Sequence, residues 1–249
     1  MLVSFIIPHK GREELLERTI RSILALEFEP QNIEILVLTQ NKTLAEPPRD
    51  SKEIPLRILF RPEHETIAAL RNVGAKHAAG DYLAFLDADV ELSRNWLTLM
   101  FQELAAKPER ALVSAIQQGA PDAGPVENIR VLLNNTAADK AVKFLGSANL
   151  FLPRKIFERV DGFPEHLTTC EDYYFTNQVH RIGEVYCTSQ ASFIHLGEDK
   201  NYPALFRKEI WRGQANLQSL RRRKILFREI PSILTPLWEV FFFLGMVMI

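Results

Sequence analysis

Short apolar runs alternate with segments of helical spacing through the first half of this chain, and that alternation limits the fold more than any other feature. Leu2–Ile7 is apolar and is closed by Pro8, as expected of a buried strand. Arg12–Leu26 carries Leu15, Leu16, Ile20, Ile23 and Leu24 at helical spacing. Ile33–Leu38, Leu56–Phe60, Tyr82–Leu86 and Ala111–Ile116 read as further strands. Thr66–Ala79 reads as a helix ended by Gly80 in the usual capping role, and Ser93 is placed to cap another that runs to about Ala106, before Lys107-Pro108. This pattern predicts an α/β fold with a mostly parallel central sheet flanked by helices. Such sheets bind ligands beyond the carboxyl ends of their strands. Three polar clusters fall there: Pro8-His9-Lys10, Thr39-Gln40-Asn41 and Asp87-Ala88-Asp89.

The second half is less regular. Phe144–Leu152 reads as a strand and Pro153 as the first turn of a short helix. Asp161-Gly162-Phe163-Pro164 reads as a turn, and Glu171–Ile182 as a helix that opens with two acids. Pro203–Arg223 reads as a last long helix. The chain is 47% hydrophobic, enough for a sizeable core, and its net charge of −1 gives no electrostatic reason to expect nucleic acid as a partner. Two cysteines, Cys170 and Cys187, are too few for a disulfide scaffold, which suits a reducing compartment. The N-terminus does not read as a signal peptide, because Pro8, His9 and Lys10 interrupt it and no cleavage site follows. The C-terminal stretch from Ile233 is apolar but for Thr235, Pro236, Glu239 and Gly245, and follows Arg221, Arg222, Arg223, Lys224 and Arg228. Such a stretch either packs as a buried helix or enters a membrane with its basic flank on the cytoplasmic side. We expect the second. The expected division is a domain over 1–224, with 1–116 and 117–224 as its halves, and a membrane-associating segment over 225–249, attached to the cytoplasmic face.

The acids carry the chemistry. Alternate residues of an extended segment point the same way, so Asp87 and Asp89 can face one point and offer oxygen ligands to a hard divalent cation. A solvated strand-end turn is the plainer alternative. Arg71 is either a fork for phosphate or carboxylate or a surface salt bridge, for instance to Asp81. Glu171 and Asp172 are either ordinary helix-start acids or the place of a general base. His195 ends the run Ala191–His195, near Glu198 and Asp199, and is either structural or a ligand.

Together these motifs resemble family-2 glycosyltransferases of the GT-A fold over most of the chain, from about Leu2 to about Leu220. Val3-Ser4-Phe5-Ile6-Ile7-Pro8 looks like the family's first strand. Its most specific block is Ala69-Leu70-Arg71-Asn72-Val73-Gly74 with Gly80-Asp81-Tyr82-Leu83-Ala84-Phe85-Leu86-Asp87-Ala88-Asp89. Gly146-Ser147-Ala148-Asn149 and Asp161-Gly162-Phe163-Pro164-Glu165 look like the acceptor-side segment, and Glu171-Asp172 like the family's acidic pair. The resemblance implies an inverting transfer from a nucleotide-sugar donor, most often UDP-linked, to an acceptor hydroxyl. The expected membrane attachment would suit a saccharide or lipid-linked acceptor, as in the building of cell-surface polysaccharide. It implies Mg²⁺ or Mn²⁺ at Asp89, with Asp87 on the metal or the ribose and His195 as an extra ligand. Asp172 would be the base and Glu171 would orient the acceptor or its own neighbour. Pro8, His9, Thr39, Gln40, Arg71 and Ala88 would line the donor site. Trp211, with Lys208 and Arg212, would close over it.

Two departures stand out. The family usually carries an acid after the second strand, where this chain has Thr39-Gln40-Asn41, so the identity of the nucleotide is open. His9-Lys10-Gly11-Arg12 also replaces the commoner tyrosine-asparagine form. Two rival readings are a nucleotidyltransferase, against which the solitary Gly11 argues, and a non-catalytic nucleotide-sugar-binding relative, against which Asp172 and both metal acids argue.

Overall fold

The computed structural model describes residues 1–45, 54–136, 138–204 and 206–207. The chain divides into a unit of Met1–Lys200 and a second of Asn201–Ile249. Of the second, the described residues from Tyr202 onward are helical. Trp211, most of the helix expected over Pro203–Arg223, and the apolar 225–249 segment lie outside the described residues. Among the described residues no helix is long and apolar enough to cross a membrane.

The first unit begins with β1 (Val3–His9), α1 (Glu13–Leu24), β2 (Ile33–Thr39), β3 (Leu56–Phe60), α2 (Ile67–His77), β4 (Tyr82–Leu86), β5 (Val90–Leu92) and α3 (Trp96–Ala106). It continues with β6 (Arg110–Gln118), α4 (Pro125–Asn134), β7 (Lys140–Val142), β8 (Asn149–Pro153), α5 (Arg154–Arg159), α6 (Glu171–His180) and β9 (Glu184–His195). The strands form one sheet in the order β3-β2-β1-β4-β8-β6-β9-β5, with β7 also on β9. The expected α/β sheet flanked by helices is present. Its parallel part is β3-β2-β1-β4, while β8 runs antiparallel to both β4 and β6, and β6 and β9 are again parallel. The parallel half corresponds to the half of the sequence with regular strand–helix alternation, because a parallel pair needs a long crossover and an antiparallel pair does not.

All seven residues of β1 and of β2 are buried, as strands covered on both faces must be. Their side chains alternate between two cores. Val3, Phe5 and Ile7 join Leu16, Ile20 and Ile23 of α1 and Trp96 and Met100 of α3 on one face. Ile6, Leu36 and Leu38 join Leu70 of α2, Phe157 of α5 and Phe175 and Val179 of α6 on the other. Each large apolar side chain so buried contributes about 1.5–3 kcal/mol. Helix α2 approaches closely because Gly74 has no side chain; a Cβ there would stand 2.4 Å from Ile6 Cγ2.

Some local expectations are corrected. Helix α2 ends at His77 with Ala78 as its cap, and Gly80 instead donates its N–H to Ser4 Oγ at 2.8 Å. Asn95, not Ser93, precedes α3; the Ser93 hydroxyl accepts from the Ser192 N–H and so tends the sheet. The strand expected over Phe144–Leu152 begins only at Asn149, because Leu145 is already bonded to helix α6 instead of a strand, while Ala148 makes the last rung of the ladder. Leu145 N–H reaches the Thr176 hydroxyl, and the Ala148 carbonyl accepts from Asp87 N–H. Pro153 precedes the first turn of α5 as its cap.

Candidate functional site

Parallel pairing puts the carboxyl ends of β1, β2 and β4 at one edge. His9 pairs with Thr39 in register, and the Asp87-Ala88-Asp89 turn follows directly on β4. The three polar clusters therefore meet there, as strand geometry requires. The Asp87–Asp89 segment is a turn into β5 and not a straight extension of β4. The two acids converge for another reason. Strand β5 pairs antiparallel with the end of β9, placing Val90 opposite His195, and Leu196 N–H donates to the Asp89 carbonyl at 2.7 Å. His195 Nε2 then stands 3.6 Å from Asp89 Oδ1.

Asp87, Asp89 and His195 each offer one ligand atom, all within 4.8 Å of one another. Two carboxylates and an imidazole suit a hard or borderline divalent cation, so the residues fit the metal that the sequence implies. Glu198 Oε1 lies 4.0 Å from His195 Nδ1, on the side where metal-binding histidines commonly have an orienting carboxylate. Glu198 is itself held by Gln117 Nε2 at 3.2 Å, and Gln117 Oε1 accepts from Asn134 Nδ2 at 2.6 Å.

Arg71 is fully buried on α2 and resolves the two readings open for it. It makes a salt bridge, but an internal one: Nη2 donates to Asp87 Oδ1 at 2.9 Å and Nη1 to Glu171 Oε1 at 2.8 Å. Asp81 instead accepts from Leu2 N–H. The Phe163 ring lies under the guanidinium, 5.2 Å from Cζ. Phe163 is placed by the neighbouring Asn72, whose amide exchanges two hydrogen bonds with the Phe163 backbone, at 2.8 and 2.9 Å. Gly162, at φ +67°, permits this; a Cβ there would lie 2.7 Å from Asn72 Oδ1.

Glu171 and Asp172 open α6 directly after Cys170, whose φ of +63° turns the chain into the helix. Glu171 is buried against Arg71. The Asp172 carboxyl is pushed up to about 6, first by burial and then by the charge of Glu171, against the Tyr173 N–H and Arg71, which favour its ionised form. A carboxylate that ionises near neutrality is suited to accept a proton.

On the other side of the turn, His9 Nδ1 lies 3.0 Å from Thr39 Oγ1, while its Nε2 is buried with no hydrogen-bond partner among the described residues. Burial lowers the His9 pKa, so the ring is neutral near pH 7. Thr39 is fully buried, and its hydroxyl also accepts from Asn41 N–H. The Gln40 amide nitrogen is engaged with the carbonyls of Pro62, Glu63 and Glu65. Pro8 is buried within β1, and Ala88 packs against the core.

Reading the sequence missed Arg12, whose Nη2 donates to Asp89 Oδ2 at 2.7 Å. Its place four residues after Pro8, past the end of β1, was the available signal. Neither cysteine is in a disulfide.

The family model described as Glycosyl transferase family 2 matches residues 4–159. The chain is 23% identical to the glycosyltransferase AglE of Haloferax volcanii, over 97% of this chain and 81% of that one. It spans 15% to 59% of the length of four further curated relatives. Among solved structures it resembles the mannosyltransferase PcManGT of Pyrobaculum calidifontis, in complex with GDP-Man and Mn²⁺. That match has a TM-score of 0.69 and 20% identity, over 94% of this chain and 68% of that one. It also resembles S. aureus TarS in complex with UDP-GlcNAc, with a TM-score of 0.60 and 16% identity, over 94% and 70% of the two chains. These likenesses show the fold.

Proposed function

This chain is a glycosyltransferase belonging to glycosyl transferase family 2, and from that premise we propose that it transfers a sugar from a nucleotide-sugar donor to an acceptor hydroxyl, with inversion and with the help of a divalent cation. The observation that carries this reading is the Arg71 bridge. It joins Asp87 of the metal-type cluster to Glu171 at the start of α6, where Asp172 stands. A donor-side acid and the helix start next to the proton acceptor are thereby held to one buried cation. Inversion requires attack from the face opposite the leaving nucleotide, and so a base on the acceptor side of the donor. The start of α6 supplies one.

Asp87, Asp89 and His195 would hold the metal, Mg²⁺ or Mn²⁺, which when bound offsets charge on the departing nucleoside diphosphate. The structural neighbours that hold GDP-Man with Mn²⁺ and UDP-GlcNAc support a donor of this class. Asp172 takes the proton from the acceptor hydroxyl. Glu171 holds Arg71 and so fixes the helix start on which Asp172 rides. His9 and Thr39 line the nucleoside side. The reading includes a saccharide or lipid-linked acceptor and attachment to the cytoplasmic face of a membrane through 225–249. The apolar composition of that segment and the basic run before it support the attachment.

The test is Asp172→Asn, assayed by nucleoside diphosphate release from UDP- and GDP-sugars in the presence of Mn²⁺ and a saccharide acceptor. Donor binding should persist in the variant and transfer should vanish. Wild-type turnover in the variant would remove Asp172 from the role of base. The anomeric configuration of the product, read by NMR, checks inversion.

A further inference from the structure

Each acid of the Asp87-Ala88-Asp89 turn is bonded to one arginine, and the two arginines are held in opposite ways. Arg71, on Asp87, is 1% exposed, fixed by two carboxylates and a phenyl ring. Arg12, on Asp89, is 56% exposed and lies between β1 and α1, next to Gly11 at φ +83°. We propose that Arg12 binds the donor's diphosphate: it neutralises Asp89 while no divalent cation is bound and turns to the diphosphate once Asp89 is engaged. This rests on the reading of the site as a nucleotide-sugar site.

Three observations support it. Arg12 lies on a carboxylate of the metal-type cluster, so a guanidinium and a divalent cation compete for Asp89. Two like charges that close repel each other. The arginine is also free to leave. Its carboxylate partner is the 2.7 Å contact at Asp89, and a long, half-exposed side chain beyond the end of β1 can sweep the space where a ligand enters. Finally, the charges match. Asp87, Asp89, Glu171 and Asp172 face Arg12 and Arg71, leaving an excess of negative charge that would repel a diphosphate. A divalent cation removes that excess, and a planar guanidinium released beside it is suited to two phosphate oxygens. The neighbouring Lys10 is drawn off to Glu63 at 3.0 Å. Gly197 makes room for the Arg12–Asp89 pair: a Cβ there would stand 2.0 Å from Asp89 Oδ2 and 2.8 Å from Arg12 Nη1 and Nη2.

Mn²⁺ binding without nucleotide, read from the EPR signal of the free ion, and UDP and GDP binding at saturating Mn²⁺, read by calorimetry, test this on the wild type and on Arg12→Ala. The variant should bind Mn²⁺ about 3- to 10-fold more tightly, because its competitor is gone. It should bind the preferred nucleotide about 10-fold more weakly. Arg12→Gln keeps most of the side-chain length and should behave as the alanine variant does, which covers failure of that variant to fold. Mn²⁺ affinity equal to or below wild type, or unchanged nucleotide affinity, overturns the proposal and leaves the transferase reading standing. Failure of the wild type to bind either Mn²⁺ or nucleotide overturns both.

Discussion

Arg71 Nη2 meets Asp87 Oδ1 at 2.9 Å, and the same guanidinium meets Glu171 at 2.8 Å. One buried cation thus joins the end of β4 to the start of α6, two elements far apart in the chain. Arg71→Ala would leave Glu171 buried without its partner, a loss of about 3–5 kcal/mol in urea unfolding. Arg71→Lys restores the charge but cannot serve both carboxylates in fork geometry. It should recover part of the stability and little of the transfer rate.

The raised pKa of Asp172, about 6, gives two pH effects. As a base it acts ionised, so transfer should fall about tenfold per pH unit below about 6 and be level above it. Stability has the opposite slope. Between the ordinary carboxyl value and 6 the folded chain holds a proton that the unfolded chain has lost. This group's contribution therefore falls as pH rises through that window. Asp172→Asn should raise stability at pH 7 by about 1–2 kcal/mol, discounted for partial solvent screening, and should lose the step in a pH–stability curve.

Removal of divalent cations by EDTA should abolish transfer, and Mn²⁺ or Mg²⁺ should restore it. His195→Ala should weaken Mn²⁺ binding, measured by EPR. Glu198→Ala removes a carboxylate 4.0 Å from His195 Nδ1, beyond hydrogen-bond reach, and should weaken it less than His195→Ala does.

Gly162→Ala should destabilise the chain by about 1–3 kcal/mol in thermal or urea unfolding. Its φ of +67° disfavours a side chain, and the added Cβ would stand 2.7 Å from the Asn72 amide oxygen that holds Phe163. Transfer should fall with stability, because Phe163 lies beneath Arg71.

The sequence by itself determined the parallel half of the sheet and its rim. Val3–His9, Ile33–Thr39 and Tyr82–Leu86 are strands because apolar, β-rich runs between helical segments have few other ways to bury both faces. The acids after β4 fall at the binding edge as a consequence. Helix α4 was not legible. Its Ile129, Leu132 and Leu133 are exposed while Val126 and Arg130 are buried, so its apolar residues do not mark its inner face. Only the tertiary structure decided that His195 and Arg12 stand on Asp89 and that Arg71 joins Asp87 to Glu171. Those contacts depend on β5 pairing with β9 and on α6 packing beneath the sheet, and such long-range pairings leave no trace in local periodicity.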